Sequence, residues 1–152
     1  MKKMILVFSV VAMLTMAFAS VASADTVTGR GWLKAIGAGK ATLRMTGEVD
    51  ITGHGAGIIY IKNAEIITAE GRGKRSNLPN GDVILRGYYG SVRVVGEQMS
   101  VQMVGGKIDF SATGAGVVTL KGRGKYWTHA GTGGNWRVDG VDLMVGEPEL
   151  VR

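Results

Sequence analysis

The chain alternates, residue by residue, over a longer span than any helix permits. Between Gly29 and Lys62 the odd positions are apolar or glycine almost throughout, among them Leu33, Ala35, Ala41, Leu43, Met45, Val49, Ile51 and Ile59. The even positions carry Arg30, Lys34, Lys40, Arg44, Glu48, Asp50 and Lys62. A period of two sends the two series to opposite faces of a β-strand, whereas a helix needs apolar residues three and four apart. A second stretch, Gly106 to Tyr126, alternates in the other parity. Ile108, Phe110, Ala112, Val118 and Leu120 form its inward series, and Lys107, Asp109, Ser111, Lys121, Arg123 and Lys125 its outward one. The fold class that follows is all-β.

Glycine interrupts neither stretch. It sits mainly in the inward register and recurs about every eight residues without breaking the alternation. Glycine weakens a flat strand but allows a sharp bend or a close backbone approach, so each GxG predicts a corner or a bulge.

The two stretches are similar to each other. GEVDITGHGAGIIYIK (Gly47 to Lys62) aligns without gaps on GKIDFSATGAGVVTLK (Gly106 to Lys121), and GWLKAIG (Gly31 to Gly37) falls on GSVRVVG (Gly90 to Gly96) at the same offset of 59 residues. Between these blocks the register slips by one, and Gly105-Gly106 restores it, as a β-bulge would. The pattern reads as a tandem duplication of about 29–73 and 87–126 within a single β domain, 25–152. The halves are joined near RSNLPNGD (Arg75 to Asp82), where Asn, Pro and Asn-Gly signal a turn. An antiparallel β-barrel or β-sandwich, its strands bent at GxG corners, accommodates all of this. A β-solenoid is the alternative, but stacks of that kind use three or more similar rungs and only two long units are present.

Residues 1–24 fall outside this pattern. Lys2 and Lys3 precede the apolar run MILVFSVVAMLTMAFA, which closes on Ala22-Ser23-Ala24, and this is the pattern of a signal peptide cleaved before Asp25. The run is short for a membrane-spanning anchor. The expectation is an exported protein, periplasmic or extracellular, with no transmembrane helix in the mature chain. There is no cysteine, so disulfides play no part. The two leader lysines account for two of the six formal positive charges, leaving 16 Lys+Arg against 12 Asp+Glu, a net +4. That balance is compatible with anionic glycans, lipid headgroups or nucleic acid and demands none of them, and no specific nucleic-acid partner is expected.

The candidate binding residues come from GRGK, which occurs at Gly71 to Lys74 and Gly122 to Lys125. The glycines lie inward, so Arg72, Lys74, Arg123 and Lys125 point outward, with Trp127 beside the second copy. These five form either a basic stripe for an anionic partner or a charged strand surface that resists edge-to-edge pairing. GxGK is not a phosphate-binding loop, which needs GxxxxGK[ST] between strand and helix.

No catalytic or metal-binding residue is assigned, and no cofactor is expected. Asp50 and Asp109 occur once per repeat, but Asp-Ile-Thr and Asp-Phe-Ser lack the Asp-Thr/Ser-Gly order of the aspartic-protease loop. His54 and His129 have no second ligand at metal spacing. Trp32 and Trp127 fall in the outward register, where they either cover a sheet end or meet a sugar or membrane interface, and Trp136 precedes Arg137. The glycine- and alanine-rich apolar series does not suit the lipid face of an outer-membrane barrel.

With GHGAGIIYIK, GAGVVTLKGRGKYW and GGNWRV as its punctuated strands, the chain resembles small exported bacterial GxG-rich β-repeat proteins of unknown function. The resemblance implies export and β structure and carries over no active-site residues. The functional expectation is a non-enzymatic structural or envelope-associated interaction module, self-associating through strand edges or binding a partner. A binding domain for an anionic glycan or lipid is the alternative, and an Asp-based enzyme is third.

Overall fold

The computed structural model describes residues 31–146. Residues 1–30, which include the expected leader, and residues 147–152 lie outside the described residues. Six strands follow in order: β1 (Gly31–His54), β2 (Gly57–Lys62), β3 (Ile66–Asn77), β4 (Val83–Thr128), β5 (Gly133–Asn135) and β6 (Val141–Val145). All the strands pair antiparallel in one sheet, which does not close on itself, and β4 is the partner of each of the others. The all-β antiparallel expectation is therefore what the structure has, whereas the closed barrel named among its alternatives is not, because the sheet is open. The solenoid alternative is not: its rungs would pair in parallel, and the one parallel contact is an isolated bridge between Lys121 and Arg137.

β4 has 46 residues. Drawn out straight it would span about 150 Å, against a radius of gyration of about 14 Å for a domain of this size. The strand must turn repeatedly while its hydrogen bonding continues. β1 shows how. Residues 31–36 pair with 109–114 on one side, and residues 47–52 pair with the same 109–114 on the other. Two pieces of one strand can flank a single segment only if the strand doubles back between them.

The creases lie where glycines meet across strands. One row runs Gly57, Gly105, Gly39, Gly122 and a second runs Gly96, Gly47, Gly114, Gly31, each glycine the direct partner of the next. At Gly47 and Gly114 the reason is plain: both have φ in the region that only glycine adopts easily, +138° and +141°, and neither site has room for a β-carbon. The bulge expected at Gly105-Gly106 is present: Gly37 faces Ile108, Gly39 faces Gly105, and β4 has one residue more than β1 between these pairs.

Folded this way, the sheet wraps its inward series around one core. Leu33, Leu43, Val94, Val101, Phe110 and Leu120 are fully or almost fully buried, each contributing roughly 1.5–3 kcal/mol through removal from water. Ile51 faces Phe110, the residue 59 positions later, with Asp50 opposite Ser111 and Thr52 opposite Asp109. The two similar stretches thus lie side by side. The segment after β5 caps one end, with Trp136 buried and its ring nitrogen donating to the Lys125 carbonyl at 3.2 Å. The RSNLPNGD turn is the tight connection of the β3–β4 hairpin. Asp82 is buried there and accepts from the Tyr60 hydroxyl at 2.7 Å and from Asn80 at 3.0 Å.

Candidate functional site

The connections between the described strands are short, so the side chains available to a partner stand mostly on strand faces. The outward series falls into cross-strand rows, and the rows differ in chemistry between two regions of the folded sheet.

In the first region Lys34, Ser111, Asp50, Arg93 and Thr68 are successive neighbours across the sheet, and Asp109, Thr52, Ser91 and Glu70 form the next row. Together they line an open depression of about 500 Å³. Its lining mixes both signs of charge, with Lys34 and Arg93 among Asp50, Glu70 and Asp109. Arg93 pairs with Glu48 and, at 3.2 Å, with Asp50. The hydrogen bond to Glu48, with the nearby Asp50 charge, holds the Arg93 guanidinium above its ordinary range. His54 Nε2 lies 3.8 Å from Asp109 and has no hydrogen-bond partner among the described residues. Asp50 and Asp109 share this depression in diagonal register, and both are partly solvent-exposed.

In the second region one row reads Lys74, Arg86, Ile58, Val104, Lys40, Lys121, each the direct cross-strand partner of the next. Arg44 and Lys62 flank the row on the same side of the sheet, and the Lys62 ammonium lies 4.8 Å from the centre of the Tyr60 ring. Lys40, Arg44 and Lys121 rim a groove of about 530 Å³ whose floor carries Thr42, Thr119 and Gln102. None of these cations makes an ion pair with a described carboxylate. Asp142, the one acidic side chain in the groove among the described residues, accepts from the Thr119 hydroxyl at 2.6 Å.

The five residues expected from GRGK are all exposed, but they do not gather in one place. Arg72 and Lys74 lie on β3, opposite Tyr89 and Arg86. Arg123, Lys125 and Trp127 lie on the far part of β4, opposite Ala38, Ile36 and Lys34. Of the five, only Lys74 belongs to the basic row. Trp32 and Trp127 are about half exposed, as the outward register expects. His129 is exposed in the β4–β5 turn and is not joined with His54, and the described residues contain no cluster of three His, Cys, Asp or Glu. The basic row was missed because its six members come from six separate stretches of sequence on four strands and are brought together only by strand register.

Comparison with known proteins returns no matching family model, no matching curated relative and no matching solved structure.

Proposed function

We propose that this chain is an exported, non-enzymatic β module with a structural or envelope-associated interaction role, built by tandem duplication. The observation that carries this reading is the near-continuous strand structure. Catalytic groups are usually displayed on loops held by a scaffold, and here the chemistry-bearing side chains instead stand in extended rows across a rigid sheet. Such rows suit an extended surface better than a small reacting molecule. The side-by-side register of the two similar stretches supports the duplication.

Light scattering on size-separated protein, at low and raised salt, tests the role. Assemblies that survive raised salt support structural association through strand edges. A monomer that hydrolyses a model substrate, and loses that activity in D50N or D109N, overturns the reading in favour of an Asp-based enzyme. Amino-terminal sequencing of the exported protein tests the leader, with Asp25 as the expected first residue.

The alternative of binding an anionic glycan or lipid is favoured by one specific observation, the concentration on the second region of the sheet of cations that make no ion pair with a described carboxylate.

A further inference from the structure

We infer that the basic row is a docking surface for an anionic lipid membrane, an assignment that rests on the reading of the chain as an interaction module. Two features of the row point to a partner. First, Lys40 stands directly opposite Lys121, and Lys74 directly opposite Arg86. Like charges in direct cross-strand register destabilise a sheet; none of the four makes an ion pair with a described carboxylate, and the acidic side chains near Lys121, Asp139 and Asp142, stop short of one. An anionic partner supplies that missing counter-charge. Second, the middle of the row is apolar: Ile58 and Val104 face each other with 44% and 48% of their surfaces exposed. From Lys74 to Lys121 the row crosses five strand spacings, about 24 Å.

Cations at both ends of an exposed apolar pair match a surface that is itself anionic and apolar at shallow depth. A bilayer containing anionic lipids has both properties, attracting basic residues through its surface potential and accepting apolar side chains at the headgroup boundary. A hydrophilic anionic polysaccharide would match the lysines but leave Ile58 and Val104 without a complement.

The test is co-sedimentation of the full chain with vesicles of phosphatidylglycerol and phosphatidylcholine in equal parts, and of phosphatidylcholine alone. Every variant shares residues 1–30 and 147–152, so their contribution is common to all. Wild-type protein binds the anionic vesicles and not the neutral ones. K40E/K121E loses roughly thirtyfold or more in affinity. K34E/K125E makes the same change in net charge away from the row, where Lys34 faces Trp127 and Lys125 faces Ile36, and loses less than about threefold. I58S/V104S, with every cation kept, loses roughly tenfold, and its residual binding is the more salt-sensitive. Circular dichroism and melting curves confirm that the variants fold.

Equal losses in the two charge variants overturn the assignment by reducing it to net charge. So does binding to a sulfated polysaccharide without binding to vesicles. If the wild type binds neither while salt-resistant assemblies form in light scattering, the membrane assignment falls and the interaction-module reading stands.

Discussion

Gly47 of β1 and Gly114 of β4 are direct cross-strand partners, and the exclusion between them is reciprocal. A β-carbon on Gly47 would land on the carbonyl oxygen of Thr113, and one on Gly114 on the carbonyl oxygen of Thr46. The strands meet here through backbone alone. That close approach lets the sheet crease without losing its ladder.

Alanine at either position must therefore move backbone as well as adopt an unfavourable φ, and G47A and G114A are each expected to cost about 3 kcal/mol or more. Gly106 is the control, since it belongs to the bulge but has open space around its Cα and no positive φ. G106A is expected to change stability by less than about 1 kcal/mol, in the stabilising direction, by restricting the unfolded chain. Urea titration of the three variants decides it. Similar losses at all three sites would mean that the creases do not depend on the cross-strand glycine contact.

The β3–β4 hairpin is fastened from outside by Tyr60 of β2, whose hydroxyl donates to the buried carboxylate of Asp82. Asp82 is also the partner of the Asn80 side chain, and its backbone N–H donates to Asn80 Oδ1 at 3.2 Å. Replacing it by alanine strands two donors at once. D82A is expected to cost about 2–3 kcal/mol and Y60F about 1 kcal/mol. In the double variant the losses should not add, because both remove the same bond. Additive losses in a double-mutant cycle would show that the hydroxyl and the carboxylate act independently.

Much of this fold was legible because its signals are local. Alternation at Leu33, Ala35, Leu43 and Val49 follows from strand geometry alone, and those residues are the buried ones. Glycine in the inward register marked the creases for the same reason. What the sequence could not show was which glycine meets which. Gly39 pairs with both Gly105 and Gly122, far away along the chain, through registers fixed by the whole sheet. The site suffered most from this. GRGK is conspicuous as a string, yet one copy lies on β3 and the other on the far part of β4, away from the segment that pairs with β3. Lys40, Arg86 and Lys121 carry no motif and are brought into one row by pairing. His54 likewise sits four residues after Asp50 in sequence, but the carboxylate that approaches it is that of Asp109.

In the connection before β6, Arg137 donates two hydrogen bonds to Asp139, at 3.1 and 3.0 Å. That hydrogen bonding, then the residue's own backbone N–H, then the guanidinium charge hold the Asp139 carboxyl below its ordinary value. A carboxyl depressed in the folded state stabilises the fold above its unfolded value, and the contribution is lost as pH falls through the folded one. Both side chains are largely exposed, so the effect on overall stability is expected to be slight and to shrink with salt. Carboxyl titration by NMR should place Asp139 below the other exposed aspartates, and R137Q should return it towards the ordinary range. An unchanged titration in R137Q would assign the shift to the backbone.

Gln98 adopts φ of +54°, in the left-handed region, at the second irregularity of β4. Met45 faces Met99 and Gly47 faces Gly96, so β4 again carries one residue more than β1, and Gln98 takes up the excess. Its backbone N–H donates to the Thr46 hydroxyl at 3.2 Å, while the residue itself is exposed. A side chain in this conformation costs about 1–2 kcal/mol, which glycine avoids at the expense of greater freedom in the unfolded chain. Q98G is accordingly expected to raise stability by about 0.5–1 kcal/mol. T46V should lower it by less than about 1 kcal/mol, since the freed N–H can turn to water. The two changes act on one bulge, so they are best measured together by urea unfolding. A loss of stability in Q98G would show that the glutamine side chain holds the bulge in place, and that the left-handed backbone is a consequence of that contact.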